Sequence, residues 1–421
     1  MPEPAAPDPD GAPDASPRST AALLVDPTFG PWFLGNLLSN SGNWLYNVTA
    51  AVVVYNLTGS ALLVGVVSVA QFASLAILSP WAGALSDRFD RRLMLVASQA
   101  FAAASATGIA VTVVLTGADG LPGAWPVILA TTGIGVGVAF AGPALQALVP
   151  ALVDDADLEN AVALTSLTFN IGRAIGPAAG GVLLATVGAE VAFVVNAVSF
   201  LALIGALALI RPRAVARTDG GDRSVRAGLA YVRADPVLLA LLVGIGAVGF
   251  AADPINTLAP PLAAALGGGD GLVAFLVSAF GVGAAGIALV AGRVQRQFGV
   301  LPVARAGCLV LAAGLVAAAL APGPATALIA FAVMGTGFLL GVSTLTSALQ
   351  RRVDEDLRGR VMALWSVAFL GTRPVAAIVD GAAADLLGVR PAFVVPVAVA
   401  VFGAFVATRL LRQAGAHATA P

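Results

Sequence analysis

Four charged residues lie inside long apolar stretches of the chain, where a charge usually has a function. They are Arg173, Asp253, Arg373 and Asp380. At the centre of a membrane-spanning helix one charge costs about 2.5–3.5 kcal/mol, so an unpaired charge is disfavoured. Asp380 shares a helical face with Arg373, and we predict that Arg373 pairs with Asp253 or with Asp380. Such a pair can be purely structural, or one acid can exchange its arginine partner for a proton.

A stripe of asparagines runs along the first apolar stretch. Asn36, Asn40, Asn43 and Asn47 fall within about 60° on one face of a helix. Amides inside a membrane must face protein or water, because hydrocarbon offers no hydrogen bonds. This amide stripe therefore either lines a polar cavity, with Trp44 beside it, or bonds to neighbouring helices without any ligand.

The composition indicates a membrane protein. Hydrophobic residues make up 58% of the 421 residues, charged residues only 11%, and the mean hydropathy is +0.93, whereas soluble domains carry about 25% charged residues. The net charge of −1 indicates no nucleic-acid partner. The single cysteine, Cys308, and the single histidine, His417, leave no disulfide, no cysteine metal cluster and no nucleophile–base pair. There is also no phosphate-binding loop, and we expect neither an enzyme nor a cofactor or metal.

Twelve stretches are long and apolar enough to cross a bilayer, which takes about 20 helical residues each. They lie near residues 32–57, 62–85, 93–116, 126–149, 161–187, 190–210, 238–265, 271–291, 303–320, 325–349, 361–387 and 390–411. If the N-terminus is cytoplasmic, nineteen arginines fall in cytoplasmic loops and tails and only Arg390 falls outside. This asymmetry predicts that both termini are cytoplasmic in a bacterial inner membrane.

The second half of the chain repeats the first at a distance of 200 residues, as expected of a transporter built from two similar halves. The matched residues include Ser166, Phe169, Arg173, Gly181 and Gly188, which return as Ser366, Phe369, Arg373, Gly381 and Gly388. The predicted fold is all-α, with twelve transmembrane helices in two pseudo-symmetric six-helix bundles. The predicted segments are a disordered cytoplasmic tail (1–22), a first bundle (23–210), a cytoplasmic linker (211–237), a second bundle (238–411) and a tail (412–421).

The chain resembles the major facilitator superfamily. Its first long cytoplasmic loop reads GALSDRFDRR over residues 83–92, similar to the loop signature of that superfamily. The segments SNSGNWLYNVTAAVVVYNLTGS, GPALQALVP, LTSLTFNIGRAIGPAAGGVL, VRAGLAYVRADPVLLALL and GRVMALWSVAFLGTRP resemble the branch of the enterobactin exporter and macrolide-efflux-type proteins. The resemblance covers about residues 30–410 and implies the twelve-helix fold and transport by alternating access.

The resemblance assigns a gating role to the first cytoplasmic loop. In the family an aspartate like Asp87 holds the two halves together in the outward-facing state, and the simpler alternative is a solvated loop that anchors the protein to lipid. The predicted gating residues are Gly83, Asp87, Arg88, Arg91 and Arg92. The corresponding segment of the second half, residues 292–299, has basic residues but no acid. A latch built on these loops should therefore be asymmetric.

The fifth stretch resembles the antiporter motif of drug exporters. Its motif residues are Gly172, Gly176, Pro177, Gly180 and Gly181. Small residues at these intervals allow close helix packing, and the proline weakens the helix. The motif favours export, although ordinary tight packing at the junction of the two halves would explain it equally.

The first, fourth, seventh and tenth helices line the central cavity in this superfamily. The resemblance therefore places the amide stripe opposite Asp253, Asn256 and Thr257, and the remaining candidates on the other walls are Gln146, Ser343, Thr344 and Thr346. We expect a monomeric secondary transporter, most simply a proton-coupled exporter of an amphipathic small molecule such as a siderophore, a macrolide or another drug. An importer or facilitator of the same fold is the main alternative, and a lipid scramblase or membrane enzyme is a more distant one.

Overall fold

The computed structural model describes residues 18–210, 225–354 and 357–418, and these residues form helices without a single strand. The helices of the first half are α1 (Thr20–Leu24), α2 (Phe29–Thr58), α3 (Ala61–Arg88), α4 (Arg91–Thr116), α5 (Trp125–Leu148), α6 (Leu158–Thr186) and α7 (Ala189–Leu209). Those of the second half are α8 (Val225–Ala234), α9 (Pro236–Ala251), α10 (Pro254–Thr257), α11 (Ala259–Ala265), α12 (Asp270–Phe298), α13 (Val300–Ala319), α14 (Pro324–Arg352), α15 (Arg358–Leu387), α16 (Val389–Ala392) and α17 (Val394–Ala418).

These helices provide the twelve predicted membrane spans. Ten are long and apolar enough by composition within the described residues. The other two, α2 and α6, are of similar length, but their polar side chains lower their hydropathy. The seventh span consists of α9, α10 and α11, and the twelfth of α16 and α17. The predicted fold class of twelve helices in two bundles is thus confirmed.

The two halves have the same internal packing. In the first half α2 packs on α6 and α7, α5 packs on α3 and α4, and α4 packs on α7. In the second half α9 packs on α15 and α17, α14 packs on α12 and α13, and α13 packs on α17. Helices that are related by the 200-residue repeat therefore have equivalent packing partners in the two halves.

The two halves meet at two main crossings, α3 with α15 and α6 with α12. At the first crossing, a Cβ added to Gly381 would lie 2.7 Å from both Ala61 O and Leu62 Cα. At the second, a Cβ on Gly181 would overlap Ala274 Cβ. At the first crossing, Gly65 on α3 is closer still, since its added Cβ would overlap Ala377 O on α15. These glycines thus allow close approach at the two crossings, because any side chain would push the helices apart.

The seventh span is broken in the middle of the membrane. Helix α9 ends at Ala251 and α10 starts at Pro254, with Asp253 at its N-cap position. Proline cannot donate a backbone hydrogen bond, so Pro254 and the later prolines of α11 interrupt the helical ladder. The break places Asp253 at the end of a helix instead of within one.

The N-terminal segment is folded from Arg18 onwards. The Arg18 side chain bonds Asp157 (Nε to Oδ2, 2.5 Å) and Asp26 (Nη1 to Oδ2, 2.8 Å), and its backbone N–H donates to Asp157 Oδ1. The Arg18 hydrogen bonds hold the pKa of Asp157 below its ordinary value. Residues 18–22, predicted as part of a disordered tail, are therefore folded, because their partners lie far along the chain and leave no local signal. Residues 1–17, 211–224 and 419–421 of the predicted tails and linker lie outside the described residues.

Candidate functional site

The two halves are tied together at the end of the bundle opposite residues 18 and 418, which we call the distal end. Asp385, on α15, accepts hydrogen bonds from Ser60 Oγ (2.6 Å), Ala61 N (2.7 Å) and Leu62 N (3.1 Å) at the N-terminus of α3. Asn56 Nδ2 donates to both carboxylate oxygens of Asp270, at 3.0 and 3.1 Å. We call these two contacts and the glycine crossings beside them the distal gate, and in this conformation the distal gate is closed.

The opposite, proximal end carries the loop predicted to act as a gate. Gly83 has open space beside it, since an added Cβ would meet no atom within 4 Å. Arg92 Nη2 donates to Leu207 O (2.6 Å) at the C-terminal end of α7, within the same half. The side chains of Asp87, Arg88 and Arg91 lie outside the described part of the structure. The gating role of this loop therefore stays a prediction.

Three of the four predicted intramembrane charges gather in one buried region, where α10 packs on α3 and α15. Asp253 and Asp380 are 0% exposed and Arg373 is 4% exposed. Asp253 Oδ2 accepts a hydrogen bond from Thr257 Oγ1 at 2.6 Å. The charge of Arg373 acts on Asp253, and the charge of Asp253 acts on Asp380. We call Asp253, Arg373 and Asp380 the buried charge cluster; the side chain of Arg173 lies outside the described residues.

Arg373 does not form the predicted ion pair in this conformation. Among the described residues, no carboxylate lies within ion-pair distance of its guanidinium, and Nε has no hydrogen-bond partner. The guanidinium lies instead over the rings of Phe72 on α3 and Phe369 on α15, at 4.9 and 5.1 Å from their centroids. Cation–π contacts of this kind stabilise a buried guanidinium. The pairing prediction missed them because Phe72 belongs to the other half of the chain.

The amide stripe divides into two functions along α2. Asn36 is buried and donates to Thr168 Oγ1 on α6 at 2.9 Å, and Asn40 donates back to Asn36 Oδ1 at 3.1 Å. Asn43 Oδ1 is buried without a hydrogen-bond partner within the described structure. Further along, Asn47 lines a narrow cavity whose other residues are Trp44, Val48, Ala51, Ile255, Asn256, Val273 and Val277. The beginning of the stripe thus joins helices, and its end faces a cavity between the two halves.

The other cavity candidates are placed unevenly. Asn256 lines the narrow cavity, whereas Thr257 is fully buried and occupied by its hydrogen bond to Asp253. Thr344 is also fully buried, donates to Leu340 O and accepts from Gln295 Nε2 at 3.3 Å. Thr346 is partly exposed and accepts from Trp365 Nε1 at 2.9 Å. Ser343 is partly buried, and its Oγ has no partner among the described atoms, while the side chain of Gln146 lies outside the described part.

The glycines of the fifth span serve two packing contacts. A Cβ on Gly172, Gly176 or Gly180 would come within 2.5–3.3 Å of α2 between Asn40 and Leu45, so these three glycines bring α6 against α2 within the first half. Gly181 faces α12 of the other half, and Pro177 lies inside α6. The motif therefore supports both tight packing within a half and the crossing between halves.

Sequence reasoning missed the residues of the distal gate. Acids at the ends of spans, such as Asp270 and Asp385, look like ordinary solvated residues. The available signal was a break in the repeat, since Asp380 and Asp385 occur where the first half has Gly180 and Ala185. The first half therefore has no acid at either position.

Two equivalent six-helix bundles with a polar region and buried charges between them define a secondary transporter. The chain belongs to the MFS_3 family, transmembrane secretion effector, whose model matches residues 18–420. It is a multi-pass membrane transporter and not an enzyme.

Individual proteins support the same class. The chain is 29% identical over 392 residues to the enterobactin exporter EntS of Shigella boydii serotype 4, covering 89% of this chain and 88% of that protein. The fold is similar to that of a bacterial homologue of the human lysosomal transporter Spinster in an inward-facing, occupied conformation, with a TM-score of 0.73, 15% identity and coverage of 91% and 96%. It is also similar to the nucleoside transporter NupG, with a TM-score of 0.73, 11% identity and coverage of 90% and 98%.

Proposed function

We propose that the protein is a proton-coupled exporter that moves an amphipathic small molecule out of the cytoplasm by alternating access. In this proposal it acts as a monomer in the bacterial inner membrane, with both termini in the cytoplasm. Two bundles, at residues 23–210 and 238–411, move relative to each other about the linker at 211–237. The closed distal gate then faces the outside, and the structure corresponds to the state that loads substrate from the cytoplasm.

The observation that carries this proposal is the narrow cavity between the halves, which in this conformation has room for about one water molecule and must widen to hold a substrate. Trp44 and Asn47 on α2 face Asn256 on α10 across it, and Asn256 lies three residues from Asp253 of the buried charge cluster. Amides and an aromatic ring suit a ligand with both polar and apolar surfaces, because they bind it without requiring a fixed charge. The adjacent acids place a titratable group beside the substrate path.

Similarity to an enterobactin exporter supports outward transport and makes a siderophore the first candidate substrate. Macrolides and other drugs are the alternatives, since amide and aromatic walls do not demand one chemistry. The proton is the proposed coupling ion because two carboxylates and one arginine are buried together. Burial favours the neutral form of a carboxyl group, so such a group takes up and releases a proton as its exposure changes.

Inside-out membrane vesicles from cells that express the protein test the proposal, with enterobactin and erythromycin as probes. We expect at least one probe to accumulate in vesicles with an acidic interior, and a protonophore to abolish the accumulation. Vesicles from cells without the protein are the control. Accumulation only in right-side-out vesicles would instead establish import, and accumulation that survives the protonophore would refute proton coupling.

A further inference from the structure

We infer that Asp380 is the acid through which protons control the distal gate, and that this gate closes only when Asp380 is protonated. This inference rests on the proposed proton coupling and names the residue on which the outside proton acts. The first supporting observation is the burial of Asp380. Asp380 is 0% exposed, and neither of its carboxylate oxygens has a hydrogen-bond partner within the described structure. An ionised carboxylate in such a place is strongly disfavoured, whereas the protonated acid loses far less hydration.

Within the described structure, no positive charge balances the negative charge of an ionised Asp380. Arg373 is the cation of the buried charge cluster, and its charge acts on Asp253, which also accepts a hydrogen bond from Thr257. Asp380 is affected instead by the negative charge of Asp253. Of the helices packed around this region, α3 has no charged residue between Ala61 and Ser86, and α9 has none at all. Among the described residues, therefore, one arginine lies near two acids, and Asp380 is the acid without a counter-charge.

The position of Asp380 connects its protonation to the distal gate. It lies between Ala377 and Gly381, whose surfaces contact the backbone of α3 near Gly65 and Ala61. One turn beyond Gly381, Asp385 bonds the N-terminus of α3. The same segment of α15 thus holds the gate closed and buries Asp380.

Opening the gate must separate α3 from α15 and expose Asp380 to water from the distal side. The exposed acid can ionise there, whereas the closed gate requires its neutral form. The closed state therefore binds one proton more than the open state, so acid favours closure and alkali favours opening. The ratio of closed to open protein should fall by up to about tenfold per pH unit above the midpoint. In an exporter this order lets an outside proton close the gate after the substrate has left.

Spin-label distance measurements test this coupling without any substrate. The full-length protein, with Cys308→Ala, carries labels at Leu115→Cys on α4 and Ala325→Cys on α14, which are exposed positions at the distal ends of the two halves. The protein is placed in lipid nanodiscs, and the label distance is measured between about pH 5 and about pH 9. Asp380→Asn mimics the protonated acid, Asp253→Asn tests the other buried acid, and Asp119→Asn, at an exposed acid of the distal end, is the matched control.

We expect the parent protein to shift from a short to a long label distance as the pH rises. Asp380→Asn should keep the short distance throughout, and Asp119→Asn should respond like the parent. Asp253→Asn should still respond to pH, with a shifted midpoint, because its charge acts on Asp380. The inference is overturned if Asp380→Asn responds like the parent, if the parent shows no pH response, or if Asp253→Asn alone removes the response.

A second measurement reads the proton directly. The infrared difference spectrum between acidic and alkaline samples should contain the C=O band of a protonated carboxylic acid, and Asp380→Asn should remove this band. If Asp380→Asn does not fold, Asp380→Glu should retain both signals, with a shifted midpoint. An unchanged band together with an unchanged midpoint in Asp380→Glu would reject the assignment. A pH-dependent gate in a protein that fails the vesicle assay would refute the proposed export and leave this inference standing.

Discussion

Removing the Asp385 side chain should open the distal gate without unfolding the protein. Asp385→Ala deletes three hydrogen bonds between the halves. The N-terminus of α3 does not lose its own cap, because Ser60 Oγ still accepts from Leu63 N at 3.2 Å. The loss therefore falls on the contact between α15 and α3, which exists only while the gate is closed.

The size of the effect follows from the kind of contact. Replacing a helix-capping side chain by alanine costs about 0.5–2 kcal/mol. Asp385 is exposed to solvent, so its hydrogen bonds compete with water and the upper end of this range is not reached. A cost of about 0.5–1.5 kcal/mol changes an equilibrium by roughly 2–13-fold. We expect the ratio of closed to open protein to fall by about that factor.

The label pair at positions 115 and 325 measures this ratio at one fixed acidic pH, where the parent is closed. Asp119→Ala is the matched control, because Asp119 is an exposed acid at the same end of the bundle. Asp385→Asn should give an intermediate result, since its amide oxygen still accepts a hydrogen bond. An unchanged distance distribution in Asp385→Ala, or an equal change in Asp119→Ala, would show that these hydrogen bonds do not hold the gate.

Three further predictions concern other contacts. Gly181→Ala, whose Cβ would overlap Ala274, should lengthen the 115–325 label distance and slow transport of a vesicle probe at least several-fold, and a normal distance would show that the crossing can adjust. Asn47→Ala should raise the KM of that probe with little loss of thermal stability. Asn36→Ala removes a buried hydrogen bond to Thr168 and should lower the melting temperature by an amount matching about 1 kcal/mol. Identical effects of the two variants would show that the two ends of the amide stripe do not differ in function. The pKa of Asp157 is lowered by Arg18, so this contact should stabilise the protein above about pH 4 and be lost as the pH falls through the lowered pKa; a melting temperature measured against pH should lose this acid-dependent step in Arg18→Ala.

The fold could be predicted from local properties of the sequence. Apolar length gave the spans, and the matched glycines at 181 and 381 indicated equivalent helices. These properties act within one or two helices, and they need no knowledge of how the halves face each other. The structure departs from the prediction mainly at the ends of helices, where α12 continues to Phe298 because its last polar turns can leave the membrane and stay helical.

The candidate site depended on contacts across the molecule and was predicted less completely. The charges at Asp253, Arg373 and Asp380 could be recognised because each is costly in an apolar stretch. The aromatic partner of Arg373 on the other half could not be recognised, because Phe72 lies about 300 residues before Arg373 and is itself an ordinary apolar residue on α3. The two ends of the amide stripe look alike in sequence, and only the neighbouring helices distinguish the bonded Asn36 from the cavity-facing Asn47.

The two crossings show how two similar halves can differ in function, which gives transport a direction. Gly181 and Gly381 preserve the same close fit at both crossings, so the halves can rock about a shared symmetry axis. The acids at 380 and 385 have no counterparts at 180 and 185, so the inferred response to protons belongs to the crossing of α3 with α15. A chimera built from two copies of the first half would be expected to retain the pivoting geometry and to lose its response to the proton gradient.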